Sequence, residues 1–486
     1  MSRIHPMITS FRDRSRQSNL LTAGIPLAVL ALAFLLGQRA SFLWLVLLVA
    51  ALGALVLLVR PALGLLALVA AALLLPLEFS TGTEVKLNPA ALLIPALVLL
   101  WLLDSVRRRR IHVVASRLNL PLALFLGAGL LSLVIGQATW DSSVPIKSNF
   151  VLVQLAQWAI FAFSALVFWL TANLITHEQP LRRLTAFFLL VAGSVAIVRI
   201  LPGTAAQVER LTTAAFIRAP LWVLLTALAG GQLIWNHRLR LAWRVFLVAV
   251  LSASVVYAFV DQREALSNWV GLGAVFAVLV WLRFPRLRWP LVALVLLMAV
   301  AGLLFPTLYD FAGGDAEWAE SGASRLILIE RVVDVTLRNP ITGLGPAAYR
   351  PYASLEPLEI PGNRLWFGAV ISSHNNYVDL FAHVGVVGLA LFGWFVVEVG
   401  RLSGRLRQRY RSGFAAGYVN GMLAAGVASL VIMLMADWIL PFVYNIGFQG
   451  FQASVLVWLF LGGLVVLENM GEGQETGKRA GEDESR

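Results

Sequence analysis

The chain has 486 residues, 59% of them hydrophobic, with a mean hydropathy of +0.80 and a formal charge of +12. Those values exclude an ordinary soluble domain. Because the basic residues fall mainly in short links between apolar runs, the charge is an orientation signal rather than a nucleic-acid-binding surface. With no cysteine, disulfides, thiolate metal sites and thiol nucleophiles are also excluded.

Apolar runs of about 17 to 25 residues, long enough to cross a bilayer as helix, recur along the chain. Stretches such as Ala91 to Leu103 lack the period-two alternation of strands, and in hydrocarbon a backbone must pair within its own segment, so helices are expected. A basic N-terminal tail, 1–19, leads into Leu20 to Gly37, which reads as an uncleaved first helix. Spans follow near 20–38, 42–59, 61–77, 89–104, 120–136, 151–175, 185–203, 218–236, 245–260, 265–282 and 290–306. A long hydrophilic interruption occupies 307–378. Three more spans lie near 379–400, 413–436 and 447–467, and the Gly- and Glu-rich end, 468–486, reads as a disordered tail. The expected fold class is therefore all-α: a polytopic membrane protein of about fourteen helices with one large extracytoplasmic loop.

Charge gives the orientation. All but twelve of the 38 Lys and Arg residues fall on one side of this arrangement, in the two tails and in links such as the Arg107 to Arg110 run and the Arg401 to Arg411 cluster. Both termini are expected in the cytoplasm. The other twelve are Arg39, Lys86, Lys147, Arg199, Arg210, Arg218, Arg263, Arg325, Arg331, Arg338, Arg350 and Arg364. Five of these lie in the long loop. Within it, Ser324 is placed to cap a helix from Arg325 to Arg338. Leu326, Ile329, Val333 and Leu337 would form its apolar stripe, with Arg331, Asp334 and Arg338 on another face. Pro340 and the turn Gly343-Leu344-Gly345-Pro346 would stop it, the glycines setting the loop's shape.

Three residues on the outer face invite a chemical reading: Arg263, Arg325 and His374. Each has a plain alternative, as a headgroup-snorkelling or acid-paired arginine, a surface arginine and an interfacial histidine respectively. Cations gathered where orientation does not ask for them imply an anionic ligand, and phosphate suits the planar, non-titrating fork of arginine. A neutral histidine beside it can take the proton of an attacking hydroxyl. Arg210 and Arg218 flank the entry to the eighth span, where they line a ligand groove or contact headgroups. Asn375 either orients His374 or contacts the ligand. Tyr349, Trp366 and Tyr377 stack on ligand rings or belong to the aromatic belt. Asp310, Asp315, Glu317, Glu320 and Glu330 fit no metal-binding spacing, so neither metal nor other cofactor is expected.

Ser373-His374-Asn375-Asn376-Tyr377-Val378-Asp379-Leu380, followed by His383-Val384-Gly385-Val386-Val387-Gly388-Leu389, resembles the His-Asn signature and the Gly-x-x-Gly-Leu helix of the O-antigen ligase and polymerase family. Upstream, Ser324-Arg325, the apolar helix, Asn339-Pro340 and Gly343-Leu344-Gly345 are similar to that family's arginine, helix, proline and glycine pattern. Where the family often has Ser-Arg-Gly, this chain has Gln262-Arg263-Glu264. The resemblance implies a membrane glycosyltransferase of the GT-C type in the bacterial inner membrane, working on the periplasmic face. Its donor would be a glycan on undecaprenyl diphosphate. Its acceptor would be a sugar hydroxyl of another glycan or of the lipid A core, with membrane lipid as the surroundings and no nucleic acid partner. By motif position Arg263, Arg325 and His374 would be catalytic, while Arg210, Arg218, Asn375, Arg338 and Tyr377 would bind substrate. A transporter or flippase for an anionic solute or lipid-linked glycan, and a non-catalytic scaffold, are the competing classes.

Overall fold

The computed structural model describes residues 53, 57, 60–109, 113–262, 265–300, 325–355, 358–360, 363–365 and 373–483. The packing below lies within one compact unit, Pro61–Arg486. The spans expected near 20–38 and 42–59 lie almost wholly outside the described residues, as do Ser324, Arg263, Trp366 and the acidic residues Asp310, Asp315, Glu317 and Glu320.

The protein is all-α. In chain order the helices are α1 (Leu63–Leu74), α2 (Pro89–Arg107), α3 (Asn119–Ala138), α4 (Phe150–Leu174), α5 (Glu178–Arg199), α6 (Ala205–Leu211), α7 (Ala219–Trp235) and α8 (Leu241–Val256). There follow α9 (Leu266–Arg283), α10 (Arg288–Val300), α11 (Arg325–Thr336), α12 (Tyr349–Ala353), α13 (Asn376–Arg409), α14 (Gly413–Ile432) and α15 (Gly447–Asp483). A π-turn, Tyr257–Asp261, closes α8. Two antiparallel pairs of short strands lie outside the helices: β1 (Phe79–Ser80) with β2 (Lys86–Leu87), and β3 (Leu358–Ile360) with β4 (Asn363–Leu365).

Among the described residues eight helices are long and apolar enough to cross a membrane, and α1, α7 and α9 are shorter apolar helices. Every expected span that falls on described residues has a helix over it. α5 begins earlier than the sequence suggests because Glu178-Gln179-Pro180 forms its first turn, where proline and an acidic residue are both favoured. α15 is assigned as far as Asp483, over most of the Gly- and Glu-rich end of the chain.

The core of the bundle is made by α7, α14 and α15, whose side chains are buried nearly all round up to Leu467, while α2, α3 and α8 expose leucine and valine on one side. That contrast is the pattern of central and lipid-facing helices. α7 and α14 meet with their backbones in contact. A methyl group added at Gly231 would collide with the Gly417 carbonyl and the Gly421 backbone, a small-residue crossing typical of membrane helices.

α11 is amphipathic, but its buried face differs from the expected stripe. Leu328, Val332 and Val335 are buried together with Arg331, whereas Leu326 and Leu337 are 67% and 60% exposed. The sequence of α11 carries two apolar series at helical spacing, and tertiary packing selects between them. Arg331 lies in the buried face because Nη2 donates to the Ala353 carbonyl on α12.

α13 is broken. Gly385 has φ +65° and ψ −170°, so the helix is interrupted ten residues from its start. The segment 340–344 fills the break. Val386 and Val387 N–H donate to the Pro340 and Ile341 carbonyls (2.9 and 3.2 Å), and Leu344 N–H donates to the Ala382 carbonyl (2.9 Å). On the other side Ser132 Oγ of α3 donates to the His383 carbonyl at 2.7 Å. Unpaired backbone groups in hydrocarbon cost several kcal/mol each, and this insertion satisfies them. Gly343 (φ +78°) and Gly345 (φ +107°) take left-handed conformations in the inserted turn, a region glycine enters without steric cost.

Candidate functional site

The residues singled out by sequence converge on the connection 433–446 between α14 and α15, which the sequence reading treated as a plain link. It is fixed at several points. Asn376, fully buried, donates through Nδ2 to the Leu440 carbonyl (2.8 Å) and accepts from the N–H groups of Ile439 (3.0 Å) and Leu440 (3.1 Å). Its own N–H donates to the Met433 carbonyl at 2.8 Å. Gln157 of α4 forms a second clamp, with Nε2 donating to the Pro441 carbonyl (3.0 Å) and Oε1 accepting from Val443 N–H (2.7 Å).

His374 stands immediately before this clamp with φ +49°, in the left-handed region that a non-glycine residue enters at a cost of about 1–3 kcal/mol. Local capping holds it there. Asn375 Oδ1 accepts from the N–H groups of Tyr377 (3.0 Å) and Val378 (3.3 Å), making Asn375 the N-cap of α13. Asn375 N–H donates to Ser373 Oγ (3.1 Å), which donates to Asp379 Oδ1 (2.7 Å). The peptide on each side of His374 is thereby pinned.

His374 lies within electrostatic reach of Asp437, a fully buried carboxylate. Asp437 Oδ2 accepts from Phe442 N–H and Oδ1 from Asn445 Nδ2, both at 2.6 Å. Burial pushes the Asp437 carboxyl above its ordinary value. The Phe442 N–H, its own backbone N–H, His374 and Asn445 oppose that rise without reversing it. Two arginines reach the same stretch. Arg325, at the start of α11, donates through Nη1 to the Met435 carbonyl at 2.7 Å. Arg218, the residue preceding α7, places its guanidinium carbon 5.9 Å from the centre of the Trp438 ring. Arg218 also lies close enough to Asp437 to feel its charge. Three groups from three distant parts of the chain therefore meet on the four residues Met435–Trp438.

The other expected residues fall elsewhere. Arg210 is exposed on α6, and no contact joins it to this cluster among the described residues. Arg338 lies about 20 Å along the chain axis from Arg325 at helical rise. It reaches toward Asp141 (3.8 Å) and sits over the Tyr352 ring (5.9 Å to its centre). Tyr377 donates its hydroxyl to the Leu430 carbonyl of α14 at 2.9 Å, and Tyr349 is buried on α12. Asn375 is engaged as a cap, so its oxygen serves helix start rather than His374. Among the described residues no group of three or more His, Asp and Glu side chains is arranged to hold a metal.

Sequence reasoning missed Asp437, Trp438, Asn445 and Gln157. The available signal was Asp437 itself, a lone acid between two strongly apolar runs, which membrane energetics marks as functional or paired.

Beside this connection lies a cavity of about 240 Å³ whose walls include Glu84, Lys147, Asn149, Arg350, Ser354 and Tyr444. Glu84 Oε2 accepts from Arg350 Nη1 at 3.0 Å, and Lys147 also pairs with Glu84. Those cations hold the Glu84 carboxyl below its ordinary value, the Lys147 hydrogen bond foremost. Arg350 in turn covers the Tyr444 ring at 4.2 Å. Burial pushes the Tyr444 hydroxyl up to about 12, against the pull of Arg350. Tyr444 adjoins Asn445, the partner of Asp437, so cavity and histidine share one connection.

No curated protein matches the chain. Residues 263–393 match the family model described as O-antigen ligase. That stretch, which holds Arg325, the Gly343–Gly345 turn, His374 and the Gly385 break, is where the chain is similar to the O-antigen ligase family.

Proposed function

We propose that this protein transfers a glycan from undecaprenyl diphosphate to a sugar hydroxyl at the outer leaflet, with His374 as the base. The similarity of residues 263–393 to the O-antigen ligase family supports ligase- or polymerase-type glycan transfer in general. The convergence of His374, Arg325 and Arg218 on Met435–Trp438 carries the finer reading. In the reaction the acceptor hydroxyl attacks the anomeric carbon, its proton passes to an imidazole nitrogen of His374, and the bond from that carbon to the diphosphate oxygen breaks. Undecaprenyl diphosphate leaves as the anion. Arg325 and Arg218, with Arg263 by motif position, hold the diphosphate charge in both ground and transition states. Asp437 stabilises the imidazolium once the proton has moved, as a buried carboxylate does beside a catalytic histidine. The cavity lined by Glu84, Asn149 and Ser354 is the space for a sugar ring of the incoming glycan, its polar walls matching hydroxyl groups. Charge neutralisation by arginine replaces a divalent cation, and transfer should proceed in chelator.

The test uses purified protein, undecaprenyl-diphosphate glycan and two acceptors, core oligosaccharide lipid and repeat-unit lipid, scored by gel shift in the presence of chelator. Product with one acceptor, lost in His374→Ala and Arg325→Ala, is the expected result and separates ligase from polymerase. Product with neither acceptor would sink the enzyme reading. Strict dependence on added divalent cation would refute the two-arginine arrangement.

One observation favours the transporter class: a helix broken within the bundle, the kind of interruption transporters use for ion and substrate sites. Here the backbone groups flanking the break are taken by the segment 340–344 and by Ser132, which leaves no cluster of free carbonyls. Flipping of lipid-linked glycan that survives His374→Ala would restore this alternative.

A further inference from the structure

A second cavity, of about 290 Å³, opens at the other end of the bundle. Phe414, in its wall, lies about 27 Å along α14 from Ile432, where the 433–446 connection begins. Its walls come from the start of α5, the end of α7, the link to α8, and α8 itself. Arg182, Arg238 and Arg240 line it, and no acidic side chain does. Asn236 and Gln232 make a stiff polar floor: Asn236 Nδ2 donates to Gln232 Oε1 (2.9 Å), and Gln232 Nε2 donates to the Phe414 carbonyl (3.0 Å).

The tendency of arginine to collect on one side of a membrane explains why arginines are present at this end. It does not explain why three converge unpaired on one cavity. Some arginines at this end are neutralised, Arg108 by Asp104 (2.9 Å), Arg401 by Glu398 (2.6 Å) and Arg405 by Glu468 (2.7 Å), while others such as Arg183, Arg286 and Arg411 have no ion pair among the described residues but lie outside this cavity. Among the described residues Arg182, Arg238 and Arg240 have no acidic partner and make no side-chain hydrogen bond. Like charges held close together repel, and an anion between them converts that repulsion into attraction. Guanidinium groups match phosphate oxygens in fork geometry.

The setting points to lipid as the source of the phosphate. Trp243 stands in the wall, a residue favoured at the headgroup level, and Leu189, Leu239 and Leu247 supply an apolar side. The adjoining face of α8 exposes Leu241 (76%) and Val245 (61%), a surface that acyl chains cover. We propose that this cavity binds the phosphodiester headgroup of an anionic phospholipid, with Arg182, Arg238 and Arg240 on the phosphate and the first acyl carbons against Trp243 and α8. Basic pockets between membrane helices take such headgroups in general. The site is independent of the transferase reading.

The test is native mass spectrometry of the full-length protein in detergent, with phosphatidylglycerol, phosphatidylcholine or sn-glycerol 1-phosphate added. Wild type should retain phosphatidylglycerol in preference to phosphatidylcholine. Substituting Arg182→Gln, Arg238→Gln and Arg240→Gln together should weaken retention about 100-fold, and Arg238→Gln alone, at an exposed side chain, about fivefold. A control removing equal charge outside the cavity, Arg183→Gln with Arg286→Gln and Arg411→Gln, should keep it. Equal retention by the cavity variants, or equal loss in the control, overturns the site in favour of diffuse surface charge. Displacement of phosphatidylglycerol by equimolar glycerol phosphate overturns the lipid assignment in favour of a soluble phosphate. If the triple variant does not fold, the single variant decides by the same comparison.

Discussion

Asn376→Ala removes the clamp that sets the histidine segment against the 433–446 connection. Three side-chain hydrogen bonds vanish, and the substitution leaves the Leu440 carbonyl and the N–H groups of Ile439 and Leu440 without that partner in a buried place. Each buried backbone group left unsatisfied costs about 1–3 kcal/mol, so the low end of that range already gives about 3 kcal/mol. Asn376→Asp keeps both acceptor roles and, as the neutral acid that full burial favours, can still donate to the Leu440 carbonyl, so its cost should lie below that of Ala. Thermal unfolding followed in detergent should therefore show Ala lowered by about 3–6 °C, with Asp between Ala and wild type. Transfer should suffer more than stability does, because about 3 kcal/mol of loop displacement reduces the competent population about 100-fold. An Asn376→Ala protein with unchanged melting temperature and unchanged transfer, or Ala and Asp variants that behave alike, would refute the clamp.

His374→Ala should lower transfer by about 10²–10⁴-fold while donor binding, measured by retention of undecaprenyl-diphosphate glycan, stays within about threefold. Equal loss of both would mean that His374 organises the site rather than moving a proton. Burial raises the Asp437 carboxyl above its unfolded value, so the folded state holds this proton more tightly; the stability contributed is full below about pH 4 and is lost as pH climbs through the raised value. Asp437→Asn should flatten that part of the pH–melting profile, and a profile identical to wild type would count against a raised Asp437 carboxyl. Gly385→Ala places a methyl group against the Ile341 carbonyl in a left-handed conformation, costing at least about 1–3 kcal/mol. Gly393→Ala, eight residues on in open space, should be neutral or slightly stabilising, and equal effects at the two positions would show that the break tolerates side chains.

Hydrophobicity made the spans legible because length and apolar content, not packing detail, decide whether a segment sits in a bilayer. Glycines 343 and 345 were legible for a similar reason, since left-handed turns restrict residue choice. The face of α11 was not, because two apolar series of similar strength run along it and only contacts with the rest of the bundle choose Leu328 over Leu326. Asn375 and Asn376 look interchangeable in sequence, yet one caps a helix and the other joins two segments 63 residues apart, as its bond to Ile439 shows. Asp437 escaped notice because its partners, His374 and Arg218, are distant in sequence. The pairing of Arg325 with the connection, instead of with its own loop, was hidden for the same cause.

The break at Gly385 bears on how the protein is made. Val386 and Val387 find their acceptors on Pro340 and Ile341, residues that precede α13 in the chain and so are made before it. Without that segment in place, a broken α13 would leave backbone groups unpaired, and in lipid an unbroken helix with its own ladder intact would be favoured. The bend, and with it the clamped histidine, is therefore expected to depend on the folding back of 340–344. A tag or protease site inserted between Asn339 and Leu344 would arrest the protein in the straight-helix form, fully inserted and inactive, whereas one placed beyond Leu355 would leave that step untouched.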